Sequence, residues 1–146
     1  MTKQELAEKS VHFLYDNDPF SQWLGIELDE IRAGYVKIHM TIRKEMLNGF
    51  GLCHGGVTFS LADSALAFAC NSHGSLSMLL DASVSYPERV LEGDRLTAVA
   101  EEHALKNKTG LYVIKVTKNN NITVAIFKAT VYRTGKKHFN EIETED

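Results

Sequence analysis

Proline and cysteine are scarce in this sequence, two of each in 146 residues, and no apolar run reaches the roughly 18 residues of a membrane-spanning helix. The two cysteines, Cys53 and Cys70, lie outside any CxxC pair, which excludes a disulfide framework and a thiol-ligated zinc. Charge of one sign is not in excess: 16 basic against 19 acidic residues give a net charge of −3. Such a balance offers no footprint for a nucleic-acid backbone or an anionic membrane. The opening "MTKQELAEKS" is polar and lacks the apolar stretch of a signal peptide. The six histidines (12, 39, 54, 73, 103 and 138) show no HExxH or similar ligand spacing. The expectation is a reduced, cytoplasmic protein with no metal, no cofactor and no nucleic-acid or membrane partner. What is present suffices for one domain over 1–146: 44% hydrophobic and 24% charged residues.

The chain reads as helix, two strands, one long helix, four strands. Leu6, Ala7, Ser10, Val11, Phe13 and Leu14 recur at helical spacing, predicting an N-terminal helix within 1–18. Asp18 is placed to cap, and Pro19 to open, a short helical turn. Phe13, Tyr15, Phe20 and Trp23 read as packing groups of this segment, or else as the lining of an acyl pocket. In "LGIELDEI", Leu24, Ile26 and Leu28 alternate with polar residues, and "YVKIHMTI" alternates likewise; "RAG" is the turn between them. After the long helix, "LSMLLDASVSY" places Leu76, Met78, Leu80, Ala82, Val84 and Tyr86 on one face. "DRLTAVAEEHAL", "LYVIKVTK" and "ITVAIFKATVYR" follow as strands joined by the turns "KNKTG" and "KNNN". Short turns imply antiparallel pairing. The polar segment 135–146 is expected to be a flexible tail. The fold class is therefore α+β, with a mostly antiparallel sheet wrapped around a long central helix.

That central helix carries the chemistry. The fourteen residues from Val57 to Cys70 contain a single charged side chain, Asp63, in a stretch apolar on every face, the pattern of a helix buried all round. At its start, His54, Gly55 and Gly56 occupy the positions where Ser, Thr, Asp or Asn would cap. Two readings stand for the glycines. They permit a tight turn or close packing, or they bare the first amide N–H groups, at the positive end of the helix dipole, for a carbonyl oxygen that gains charge. Asp63 is either satisfied by Ser60 or a backbone N–H, or is a general base or nucleophile whose pKa desolvation raises. Gly55 and Asp63 are eight residues apart, hence roughly 12 Å along the axis at ~1.5 Å per residue. A base and an oxyanion donor must both lie within ~3 Å of the reacting group or its water. One helix cannot deliver both to one carbonyl, but a second copy running antiparallel across a two-fold axis can, which predicts a homodimer with shared sites.

The set "MLNG", "CHGG", "FSLAD" and "ACNS" resembles the hotdog-fold thioesterases, specifically the phenylacetic-acid-degradation (PaaI-type) acyl-CoA thioesterases, over about Leu24 to Arg133. The resemblance implies dimers that share a continuous sheet and tetramers built from two dimers. It places Asp63 on the catalytic carboxylate, Gly55 on the amide that polarises the thioester carbonyl, and His54 and Asn48 on the polar residues beside it. Gly56 adjoins this donor. Some relatives hold the water with a Ser on the next strand; the aligned position here is Leu79, with Ser77 and Ser83 nearby. Coenzyme A is anionic, so Arg89, Arg95, Lys106 and Lys108 are candidates to meet it as part of the substrate. The implied reaction hydrolyses an aryl-acetyl or similar medium-sized acyl-CoA. A non-catalytic acyl-CoA-binding module and a hydratase of the same fold are the other readings.

Overall fold

The structure is a computed structural model that describes residues 1–119 and 121–140. Thr2 caps the first helix, α1 (Lys3–Asp16), in a reciprocal box with Glu5, and Leu6, Ala7, Ser10 and Val11 form its buried face. Asp18 caps α2 (Pro19–Leu24) by accepting from the Ser21 amide, and Gly25 ends it in the left-handed region at φ 81°. Leu24 thus closes a helix instead of opening a strand, and β1 runs only over Glu27–Arg32. Phe20 and Trp23 are also not packing groups: they stack on one another at 6.1 Å and stay 51% and 58% exposed.

β1 pairs with β2 (Tyr35–Thr41), and after a short 3₁₀ turn at Lys44–Met46 the chain enters the central helix α3 (Gly55–Asn71). Four strands follow: β3 (Ser75–Ser85), β4 (Arg95–Leu105), β5 (Thr109–Lys118) and β6 (Ile122–Lys137). All pair antiparallel in one six-stranded sheet of order β1-β2-β4-β5-β6-β3. The helix lies across one face of that sheet. Leu61, Leu66 and Phe68 meet the inward rows Val36–Ile38–Met40, Leu96–Ala98–Ala100 and Tyr112–Ile114–Val116, all buried. These rows are the period-2 alternation of the sequence made into one apolar face.

Two expectations fail where partners distant in the chain set the outcome. In β3 the six apolar residues do not share a face, because the register shifts between Leu79 and Asp81. One extra residue inverts the phase, so Ala82 and Val84 pack on the core while Leu76, Met78 and Leu80 are exposed. The segment 135–140 is not a loose tail: β6 continues to Lys137, the His138 amide donates to Gly74 O at 2.9 Å, and Phe139 packs edge-on against Phe13. The rest of that call, 141–146, and Asn120 of the "KNNN" turn lie outside the described residues. No helix among the described residues is long and apolar enough to cross a membrane.

Candidate active site

The loop before α3 is tied down on both sides. Cys53 N donates to Val90 O, His54 N donates to Met46 O, each at 2.8 Å, and Leu47 bridges Cys53. Asn48 folds the loop onto itself, its Oδ1 accepting from the Phe50 and Leu52 amides. The helix entrance then differs from the expected uncapped start. His54 is the N-cap, and its Nδ1 accepts from the Gly56 amide at 3.0 Å. Sequence preferences rank Ser, Thr, Asp and Asn at this position, so an imidazole acceptor escapes them.

The glycines divide in role. Neither has a positive φ, so neither is required by backbone conformation. A side chain on Gly56 would start 3.1 Å from His54 Nδ1, crowding the cap, whereas one on Gly55 would meet nothing nearer than Tyr86 Cζ at 3.7 Å. Val57 N is spent on His54 O and Gly56 N on the His54 ring, while Gly55 N has no acceptor among the described residues. Gly55 is therefore a glycine that neither turn nor packing within the protomer explains, at a helix end whose dipole favours negative charge.

Asp63 sits halfway along α3. The helix is not buried all round: Gly56, Ser60, Asp63 and Ala67, spaced four, three and four apart, form an accessible stripe, and Asp63 is half-buried on it. Ser60 does not satisfy it, because its hydroxyl donates to Gly56 O at 2.7 Å. Among the described residues Asp63 has no hydrogen-bond or ion-pair partner. Burial raises its pKa above the ordinary aspartate value, and the carboxylate of Asp18 adds to the rise. Asp18 is held there because α2 is pinned to α3 by the Ser21–Ser64 hydroxyl contact at 2.8 Å. This second carboxylate was read from the sequence only as a cap.

Asn48, Gly55, Thr58, Tyr86, Arg89 and Val90 line a cavity of about 400 Å³ at the helix entrance. Asp63 does not line it: the helix is continuous from one to the other, so the ~12 Å between them stands. Arg89 reaches this region because Lys118 Nζ donates to its carbonyl, beside the Arg95 end of β4. Lys106 and Lys108 lie in the β4–β5 turn at the other end of that strand, roughly 30 Å away within one protomer. Tyr86, which the sequence assigned to an apolar strand face, lies here and donates its hydroxyl to Gly55 O at 3.0 Å. A tyrosine placed between a strand end and Pro87 was the available signal. Leu79 is exposed, and Ser77 is buried with its backbone N–H and C=O bonded to the Asn71 side chain. Cys53 is buried and its thiol is pushed up, so it stays protonated beside His54.

Residues 50–125 match the Thioesterase superfamily. Acyl-coenzyme A thioesterase PaaI of Escherichia coli is 36% identical over 88% of this chain and 92% of its own. The solved structure of the E. coli PaaI protein from the phenylacetic acid degradation operon superposes with a TM-score of 0.91 at 34% identity, covering 93% of this chain and 99% of that one. A Streptococcus mutans protein solved bound to acetyl CoA matches with a TM-score of 0.74 at 25% identity, over 77% and 90% of the two chains. The chain therefore belongs to the Thioesterase superfamily, as a thioester hydrolase of the hotdog fold that resembles the PaaI acyl-CoA thioesterases.

Proposed function

We propose that the protein hydrolyses a medium-sized acyl-CoA, phenylacetyl-CoA or a hydroxyphenylacetyl-CoA in kind, at sites assembled from two subunits. The carrying observation is the separation within α3 of an unpartnered amide, Gly55 N, from an unpartnered carboxylate, Asp63. A two-fold axis beside the accessible stripe of α3 sets Asp63 of one subunit against Gly55 of the other. Edge strand β3 supports the same symmetry. It pairs only with β6 among the described residues and exposes Leu76, Met78, Leu79 and Leu80, an edge that a second copy would cover. Two-fold pairing of β3 with itself is antiparallel and joins the two sheets into one. It also carries the partner's Lys106 and Lys108 toward the Arg89 end of the first subunit, where the phosphates of coenzyme A need cations. Two such dimers would make the tetramer.

In the proposed reaction the thioester oxygen accepts from the Gly55 N–H, with Asn48 and His54 shaping the site beside it. Asp63 of the partner then takes a proton from water as the water oxygen bonds to the acyl carbon. Collapse of the tetrahedral intermediate breaks the C–S bond, and the departing thiolate of coenzyme A takes up the proton. Direct attack by Asp63, through an anhydride that water then opens, uses the same placement. No redox partner or metal enters either route. The affinity for an acyl-CoA is supported by the Streptococcus mutans protein bound to acetyl CoA, and the aryl-acetyl preference by the operon of the E. coli protein.

Release of free thiol across a panel of acyl-CoAs tests the activity and its preference; turnover fastest on small linear chains would overturn the aryl-acetyl assignment. Subunit mixing tests the shared site. Asp63→Ala and Gly55→Val should each be inactive, and co-refolded together they should regain about a quarter of wild-type activity, since half of the dimers then hold one intact site of two. No recovery, with wild-type refolding normally alongside, would sink the cross-subunit arrangement.

A further inference from the structure

The Gly55–Gly56 peptide is gripped at both of its polar atoms. Its N–H donates to His54 Nδ1 at 3.0 Å and its C=O accepts from the Tyr86 hydroxyl at 3.0 Å. The first is an ordinary if unusual cap. The second comes from 31 residues away and crosses from the end of β3 to the start of α3. Nothing in helix formation requires it, since a carbonyl in the first turn already has its place in the helical ladder. Tyr86 is also placed over the glycine itself, with its ring carbons 3.7 and 3.9 Å from where a Gly55 side chain would begin. Its ring and Gly55 share the wall of the 400 Å³ cavity with Asn48 and Arg89, and Tyr86 as a whole is 46% exposed.

We infer that Tyr86 is a positioning residue for the oxyanion donor: its hydroxyl fixes the peptide that follows Gly55, and its ring walls the approach to the Gly55 N–H. The inference rests on the reading of Gly55 as that donor. The physical need is specific. A helix end is where backbone frays, and a glycine there has the widest conformational freedom of any residue. An oxyanion donor contributes only if it is aimed before the charge appears. Gripping the next peptide plane at oxygen and nitrogen restricts Gly55 without placing a side chain on it, so the donor is held and still bare. Burial raises the phenol above its ordinary value, which keeps it a neutral donor across the working range.

The test compares Tyr86→Phe and Tyr86→Ala with wild type by steady-state kinetics on one acyl-CoA, and by amide hydrogen exchange at the start of α3. Tyr86→Phe keeps the ring and loses the donor. It should lower kcat about five- to tenfold, leave KM within about twofold, speed exchange in the 55–59 region, and leave the melting temperature nearly unchanged. Tyr86→Ala should in addition raise KM, because the wall is gone. A residue that merely packs would lower the melting temperature and leave kcat of the folded enzyme alone. Wild-type kcat and exchange in Tyr86→Phe would overturn the inference, whatever Tyr86→Ala does. Asp63→Ala is run beside them: if it is inactive while Tyr86→Phe behaves as wild type, only the role of Tyr86 falls. If Asp63→Ala stays active, the reading of the site falls with it.

Discussion

The two ends of α3 are built on opposite plans. At its C-terminal end the polar side chains of Asn71 and Ser72 are fully engaged. Asn71, 4% exposed, donates to Ala67 O and Ser77 O and accepts from Ser77 N, and His138 Nε2 lies 2.9 Å from its Oδ1. Ser72 donates to Ala69 O and accepts from Gly34 N, which ties the helix end to the β1–β2 turn. At the N-terminal end one amide has no acceptor among the described residues, the residue that carries it is a glycine without a structural reason there, and half-way along an aspartate has no partner among them. Asn71 and Ser72 are buried and must be paired, whereas Gly55 is exposed and Asp63 half-buried, open to groups from outside the protomer. The difference separates a region built for stability from a region left open, whose partners in the proposed function are the substrate and a second subunit.

Substitutions can break or sharpen that contrast. The largest effect is expected of Asp63→Ala, a loss of about a hundredfold or more in kcat with the oligomer intact by sedimentation. Wild-type turnover would remove Asp63 from the chemistry. Asn71→Ala should do the reverse. It strands the Ser77 backbone groups, so thermal unfolding should shift by roughly 4–10 °C, from about 2–3 kcal/mol, while kcat measured well below the transition stays at the wild-type level. A rate defect there would mean that the two ends are not separable. Gly55→Ala fits the protomer without a clash and removes a flexible residue from a helix. It should hold or raise the melting temperature yet lower kcat about tenfold, because a methyl group now stands beside the donor. The smallest effect concerns pH. In the proposed reaction Asp63 acts as a carboxylate, so activity should be present above its pKa and lost as pH falls through it. With that pKa raised by burial and by Asp18, the acid limb of kcat/KM should lie above the ordinary aspartate range. Asp18→Asn keeps the α2 cap and removes the second cause, which should move the limb to lower pH. A limb that does not move would leave burial as the sole cause.

Most of the fold was legible because its signals are local. Alternation marked β2, β4, β5 and β6, helical spacing marked α1, and Asp18–Pro19 marked α2, each an interaction between residues a few positions apart. Misreadings arose where a distant element set the outcome. Leu24 is the local exception: it alternates as well as any strand residue, but the left-handed Gly25 beside it ends a helix there. The bulge in β3 follows from its register on β6, which no property of "LSMLLDASVSY" encodes. Residues 135–140 looked like a tail because their partners, Ser75, Gly74 and Phe13, are far back in the chain.

The site divides in the same way. Composition alone exposed one carboxylate in an apolar helix and one pair of glycines at its start, and the rise per residue of a helix set them too far apart to share a carbonyl. Tertiary structure decided which glycine is spare, since among the described residues the His54 ring accounts for Gly56 and nothing accounts for Gly55. It also brought Asp18 toward Asp63 and Tyr86 over Gly55. The sequence specifies its elements through contacts within a turn or a strand, whereas a site is a meeting of groups from separate elements, and their distances exist only once the chain has folded.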